Sequence, residues 1–204
     1  MQLEISCSGG GGVLFNTSRS GNQGKHMKFL AALILVGTGI GSAWSQIVLS
    51  EQQVTRNVVK AATAYADAIS CEHSKISAKS VAALAPYKAD SAWEAKYAIV
   101  WSGDIGCDGG TGSVNSAISI VKVGMGSSFH VDPLRSSPSI KHEIPVRRIE
   151  RLVAHTADSL TIEGKAYGQG DGNCCPSVNV RATLKVDTKG NWKMVERKVI
   201  TPSK

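Results

Sequence analysis

Cysteines are the most reactive side chains of this 204-residue chain, which has five of them. Cys7 lies in a glycine- and serine-rich leader, and Cys71, Cys107, Cys174 and Cys175 lie in the remainder. An even number of cysteines in an exported chain is typical of a disulfide framework. A redox dithiol would have the spacing Cys-x-x-Cys, and a zinc site would need paired Cys or His ligands; the sequence has neither pattern. We therefore predict that these four cysteines form structural disulfides.

The pairing of the four cysteines is open among three arrangements. Adjacent residues of an extended segment point to opposite sides, so Cys174 and Cys175 are each expected to reach a different partner. The expected partners are Cys71, which ends the first predicted helix, and Cys107, which follows the first predicted strand. Two such bridges would each stabilise the fold by about 2–4 kcal/mol. The alternative arrangement joins Cys71 to Cys107 and Cys174 to Cys175.

Carboxylates in the glycine-rich loops are the second group of chemical interest. Asp104 and Asp108 lie in a segment that resembles the start of a calcium loop. Position three of that loop is Gly106 and position twelve is Asn115, where a bidentate glutamate is required. A turn capped by aspartate is therefore the favoured interpretation, and a weaker calcium site that adds Asp171 is the alternative.

Motifs for catalysis and cofactor binding do not occur in the sequence. The glycine run at residues 109–112 lacks the Lys and Ser/Thr of a phosphate-binding loop. His142-Glu143 begins like a zinc-protease motif, but Val146 stands where the second histidine is needed. We therefore predict no catalytic residue, no metal site and no cofactor.

Charge and aromatic content argue against a nucleic-acid partner. The net charge is +7, but the basic residues are scattered along the chain. Only 5% of residues are aromatic, and no stretch interleaves aromatics with Lys and Arg as stacking platforms do. We expect no nucleic-acid binding.

The start of the chain has the pattern of an export signal. Residues 1–26 include a run of four glycines and show no apolar periodicity, so we expect a disordered, mis-annotated extension ahead of a true start at Met27. Lys28, the apolar run 29–40 and small residues at 43 and 45 then predict a signal peptide over residues 27–45. The apolar run is shorter than the roughly 20 residues of a spanning helix, so we expect no transmembrane span after cleavage.

Export predicts a periplasmic or secreted protein with a modest positive charge. The mature chain would have 20 basic and 15 acidic residues, a net charge of +5. Such a charge favours solubility and also loose association with anionic envelope surfaces or an acidic partner.

Hydrophobic periodicity predicts the elements of the mature chain. Apolar residues three to four apart from Val54 to Ile69 predict an amphipathic helix that begins at Ser50, and a shorter helix is expected over residues 77–85, before Pro86. Period-two patterns then predict strands at residues 97–101, 116–123, 129–131, 146–153, 160–167, 178–186 and 192–200. The fold class is α+β: one domain over residues 46–204, in which the amphipathic helix alone covers a curved antiparallel meander, as in a cystatin-like roll.

Two segments carry a recognisable pattern: Asp171 to Ser177, an Asp-x-x-Cys-Cys-Pro-Ser element before an alternating strand, and Gly103 to Gly110. In these segments the chain resembles small uncharacterised exported proteins of Gram-negative bacteria. This resemblance implies export and no established activity, so it assigns no functional residue.

Two functions remain after these exclusions. The first is a non-enzymatic binding or accessory protein, such as an inhibitor or immunity protein, that acts on another exported protein or envelope component. Its binding loops would be residues 102–112 and 168–177, side by side if Cys107 bonds to the cysteine pair, with Asp104, Asp108, Asp171 and Asn173 as polar groups. The alternative is an exported hydrolase or metal-dependent enzyme that uses the loop carboxylates.

Overall fold

The computed structural model describes residues 48–110 and 112–201, which fall in one compact unit. The predicted extension of residues 1–26, the predicted signal peptide of residues 27–45 and Cys7 lie outside the described residues. No helix in the described ranges is long and apolar enough to cross a bilayer. These ranges contain the helix α1 (Glu51–Ile69) and the strands β1 (Ser70–His73), β2 (Val81–Ala85), β3 (Lys96–Ile105), β4 (Asn115–Val123), β5 (Phe129–Val131), β6 (Arg148–His155), β7 (Ser159–Ala166), β8 (Val178–Val186) and β9 (Trp192–Val199).

Helix α1 forms where the sequence predicts it. Ser50 Oγ accepts a hydrogen bond from the Gln53 amide at 3.3 Å, and Gln53 Oε1 accepts one from the Ser50 amide at 2.8 Å. This capping box satisfies amide groups that have no partner in the first turn. One stripe of the helix is buried, consisting of Val54, Val58, Ala62 and Ala66.

The first sheet contains β1 to β5 and is antiparallel throughout. Its order is β1-β3-β4-β5, and β2 also pairs with β3, so β1 and β2 share one edge of that strand. Helix α1 covers one face of this sheet, where Tyr97, Ile99 and Trp101 of β3 meet its buried stripe. The indole of Trp101 donates a hydrogen bond to Ser119 Oγ at 3.0 Å, which satisfies the polar atom of this buried ring.

The prediction of a helix over residues 77–85 is wrong. A short 3₁₀ turn (Ala78–Ser80) leads into β2, which pairs with β3 from Val81 opposite Ile99. Ala82 and Leu84 are buried and alternate with half-buried neighbours, as in a strand. Alanine suits either conformation in so short a run, so pairing with the distant β3 decides the outcome.

The second sheet is a meander of β6, β7, β8 and β9 in sequence order. One of its faces packs on the face of the first sheet that points away from α1, and their shared core includes Val100, Ile118, Ile120, Leu160, Ile162, Val180, Leu184 and Trp192. The molecule is therefore α+β with antiparallel strands, as predicted, but with its strands in two layers. The expectation that α1 alone covers one sheet is wrong, because the second sheet covers the other face of the first.

Candidate functional site

The two predicted binding loops lie side by side. Gly112 approaches Asn173 so closely that a β-carbon on Gly112 would lie 3.1 Å from the β-carbon of Asn173. Arg147 donates hydrogen bonds to the Gly112 carbonyl and to Asn115 Oδ1, and so holds the end of the first loop. Tyr167 donates from its hydroxyl to the Asn173 carbonyl at 2.6 Å and holds the second. The loops therefore meet, although Cys107 does not bond to the cysteine pair, which was the condition on which their proximity was predicted.

The disulfides have the pairing that the sequence analysis gave as the alternative. Cys71 is bonded to Cys107, with 5.1 Å between their α-carbons, and Cys174 is bonded to its neighbour Cys175. The first bridge follows from the pairing of β1 with β3, which sets Ser70 opposite Ile105. The prediction of two bridges from the Cys174–Cys175 pair to distant partners is wrong.

A turn explains why the alternation rule fails at this cysteine pair. The Cys175 amide donates to the Gly172 carbonyl at 3.0 Å, which closes a turn around residues 172–175. Side chains alternate between two sides only in extended backbone. In this turn the two sulfurs lie on the same side and bond to each other.

The vicinal bridge borders an open cleft with a volume of about 880 Å³. Pro176 and the two cysteines contribute apolar surface, and Val114 and Ile149 add to it. Strand β1 contributes Glu72 and His73, beside the Cys71–Cys107 bridge. Ser74, Ser102, Gly103, Gly110, Arg148, Glu150 and Lys165 complete the lining.

The cleft contains two cations without a carboxylate partner among the described residues. Arg148 and Lys165 lie opposite each other on β6 and β7, and neither takes part in an ion pair there. Arg148 Nη2 lies 3.4 Å from the Cys174 carbonyl, at the outer limit of a hydrogen bond. Glu72 and Glu150 also line the cleft, so a ligand would meet groups of both signs.

His73 lies in the cleft between two hydrogen-bond acceptors. Its Nδ1 lies 2.8 Å from the Ser74 carbonyl and its Nε2 lies 2.9 Å from Asp67 Oδ1. Both partners accept hydrogen bonds, so the charged imidazolium, which donates from both nitrogens, fits this position best. The Ser74 carbonyl first, and then the Asp67 carboxylate, outweigh burial and raise the pKa of His73. The ring also packs edge-on against Trp101, with 5.9 Å between centroids.

The predicted loop carboxylates organise turns and do not converge. Asp104 is buried, and its Oδ2 accepts from the Gly109 amide at 3.2 Å, whereas Asp108 is exposed. Asp171 Oδ2 accepts from the amides of Gly168 at 2.7 Å and Ser177 at 2.8 Å. These two backbone bonds, Gly168 first, lower the pKa of Asp171. Within residues 48–110 and 112–201, no group of three or more Asp, Glu, His or Cys side chains could hold a metal ion.

The sequence gives no role to two residues that hold the loops of the site. Arg147 lies in the strand predicted at residues 146–153, and Tyr167 ends the strand predicted at residues 160–167. Their side chains meet, with the guanidinium carbon 6.0 Å from the ring centroid. The only sequence signal was the position of both residues at strand ends next to the glycine-rich loops.

No family model, curated protein or solved structure matches the chain significantly.

Proposed function

We propose that this chain is an exported, non-enzymatic binding protein whose recognition site is the cleft beside the Cys174–Cys175 bridge. The observation that carries the proposal is the meeting of both glycine-rich loops at one open cleft of about 880 Å³. Loops held on a rigid sheet are common binding surfaces. The partner would be another exported protein or envelope component, which the chain would inhibit, protect or assist.

The two disulfides have different roles in this proposal. In the chain-entropy description, a bridge stabilises the fold by restricting the unfolded chain, and the effect grows with the enclosed length. Cys71 and Cys107 are 36 residues apart, whereas Cys174 and Cys175 are neighbours and restrict almost nothing. The vicinal bridge therefore serves the local shape of the cleft, where its polarizable sulfurs offer a firm apolar contact surface.

Export to the periplasm or the medium is part of the same proposal. Two disulfides are compatible with an oxidising compartment. The signal-like segment of residues 27–45 and the resemblance to small exported bacterial proteins support it from the sequence. That the fold is a cystatin-like roll stays a prediction. The packing of one helix across an antiparallel sheet favours this prediction. The second sheet is a further layer that the prediction did not include.

Site-specific photo-cross-linking in the producing cells tests the binding site. A photo-reactive residue replaces Glu150, which is exposed in the cleft, and in a matched strain replaces Arg56, which is exposed on α1. We expect a discrete adduct with one envelope protein from position 150 and none from position 56. Equal labelling at both positions, or no adduct at position 150, would contradict the proposal.

Fractionation with thiol labelling tests export separately. We expect the chain in the periplasm or medium, with all four described cysteines blocked to alkylation until a reductant is added. A cytosolic chain with free thiols would contradict export whatever the cross-linking result.

The hydrolase alternative has no specific observation in its favour. Asp104 and Asp171 are engaged by backbone amides in separate turns, and neither lines the cleft.

A further inference from the structure

The exposed face of the second sheet gathers basic residues from four strands. Alternate residues such as Ile162 and Leu184 are fully buried between the sheets, so their neighbours along the strands point outward. The outward cations form three rows across the strands: Arg148 with Lys165, Arg151 with Arg181 and Lys198, and Lys185 with Lys193. We call these seven residues the basic face.

The basic face keeps a positive charge after its internal pairs are counted. Four carboxylates pair with it: Glu163 between two arginines, Glu196 beside Lys198 at 2.6 Å, Asp158 beside Lys185 at 3.0 Å and Asp187 beside Lys193 at 3.7 Å. Glu150, which lines the cleft with Arg148 and Lys165, is a fifth, and seven cations against five carboxylates leave +2. The basic face therefore has an excess of positive charge.

A buried carboxylate fixes the central arginines of the face. Glu163 is 4% exposed and accepts from Arg151 Nε at 2.6 Å and from Arg181 Nε at 2.7 Å. About half of each arginine side chain remains exposed, 55% for Arg151 and 46% for Arg181. Their guanidinium groups are thus held in place with donors free for an outside anion, and little side-chain entropy remains to be lost on contact.

We propose that the basic face docks the protein on an anionic membrane surface through lipid headgroup phosphates. The cations of the face lie in rows across neighbouring strands, so several of them can meet headgroup phosphates at once. Each basic residue near such a surface strengthens binding by about fivefold, so a net charge of +2 provides weak, reversible and salt-sensitive docking.

Nucleic acid fits the same face less well. Groove recognition uses a protruding helix or two-stranded ribbon, and single strands are bound by stacking on aromatic rings. The outward residues between the rows, such as Thr161, Thr183 and Asn179, are small and polar. The basic face therefore complements negative charge without reading bases.

Vesicle co-sedimentation of the protein purified from the exported fraction tests the proposal. Vesicles of phosphatidylcholine mixed equally with phosphatidylglycerol are compared with pure phosphatidylcholine, which measures binding that does not depend on lipid charge. The variant K185Q/K193Q/K198Q removes exposed charges at positions that do not line the cleft. Its matched control, K60Q/K75Q/K88Q, removes the same charge from exposed positions elsewhere.

We expect the wild type to bind the anionic vesicles and to be released when ionic strength rises from about 0.1 M to about 1 M. The basic-face variant should bind roughly tenfold or more weakly, and the control within about twofold of wild type. Absence of anionic-vesicle binding, or an equal loss in the control, would overturn the proposal. Tighter binding to duplex DNA than to vesicles at the same salt would also overturn it. Because the substituted lysines lie outside the cleft, this outcome is independent of the cross-linking test.

Discussion

The guanidinium group of Arg147 lies 6.0 Å from the ring centroid of Tyr167, and this pair joins the two loops of the cleft. Arg147 bonds to the carbonyl of Gly112 in one loop, and Tyr167 bonds to the carbonyl of Asn173 in the other. Contact between a guanidinium and an aromatic face is favourable in its own right. The shape of the cleft therefore depends on two side chains outside both loops.

Tyr167→Phe tests this link. Loss of the 2.6 Å hydrogen bond should lower the free energy of unfolding by about 1 kcal/mol and speed amide exchange within residues 168–177. Tyr65→Phe is the matched control, because it removes a 2.9 Å hydrogen bond to the Ser137 carbonyl, and neither residue belongs to the loops. Hydrogen exchange read by mass spectrometry should show faster loop exchange in the first variant only. Similar loop exchange in both variants would show that Tyr167 does not hold the loop.

The two disulfides should differ sharply in stabilisation. Replacing Cys71 and Cys107 by serine should cost about 4 kcal/mol, because this bridge encloses a long segment of chain. Replacing Cys174 and Cys175 should cost less than about 1 kcal/mol, while weakening the cross-link from position 150. Urea unfolding of both double variants measures the difference. The opposite ranking would contradict our assignment of roles.

Stability should depend on pH through His73. The pKa of His73 is raised in the folded state above its ordinary value of 6.5, chiefly by the Ser74 carbonyl. Its contribution is therefore complete below about pH 6.5 and is lost as pH rises through the folded-state pKa. We expect the stability difference between wild type and His73→Gln to shrink between about pH 5.5 and about pH 8.5.

The comparison with His73→Gln is needed because the pKa of His142 is shifted in the opposite direction, downward. Burial lowers the pKa of His142, so its protonation opposes folding at low pH in both proteins and cancels in the difference. An unchanged difference across this pH range would contradict the role given to His73. A side-chain NMR titration of His73 provides the pKa directly.

Glu163→Gln should destabilise the second sheet by about 1–2 kcal/mol at neutral pH, because two half-exposed arginines lose their shared carboxylate. Burial raises the pKa of Glu163, but hydrogen bonds from Arg181 and Arg151 outweigh it, and the net pKa is lowered. The contribution is thus present above the ordinary value of 4.5 and is lost as pH falls through the folded-state pKa.

The control for Glu163 is Glu196→Gln, which alters an exposed ion pair with Lys198 on the same sheet. Exposed pairs contribute little, so this variant should unfold within about 0.5 kcal/mol of wild type. Denaturant unfolding at neutral pH compares the two variants. Equal effects would contradict a special role for the buried carboxylate.

The local sequence pattern was sufficient to predict those elements that are defined by their own residues. The stripe from Val54 to Ala66 and the serine before it define α1. Strict alternation in β8 and the turn after it define the last hairpin, which pairs from Val186 opposite Trp192. The α+β class follows from these patterns, because period and capping are properties of a short stretch of chain.

The site was predictable only in part. The glycine-rich loops and the cysteines were identified from residue type alone, and the loops do meet. Arg147 and Tyr167 were not identified, because a side chain that fastens a loop from a neighbouring strand leaves no local pattern.

The sequence by itself determined which segments are helix, strand and loop, apart from β1, β2 and the last four residues of β3, and which cysteines are available to bond. Only the tertiary structure decided that Cys71 bonds to Cys107, that a second sheet covers the first, and that scattered basic residues share one face. The physical reason is the separation along the chain. Periodicity is a pattern among residues a few positions apart, whereas sheet pairing joins residues that are far apart in the sequence. Charges that look dispersed in the sequence become neighbours only when antiparallel register sets β6, β7, β8 and β9 side by side.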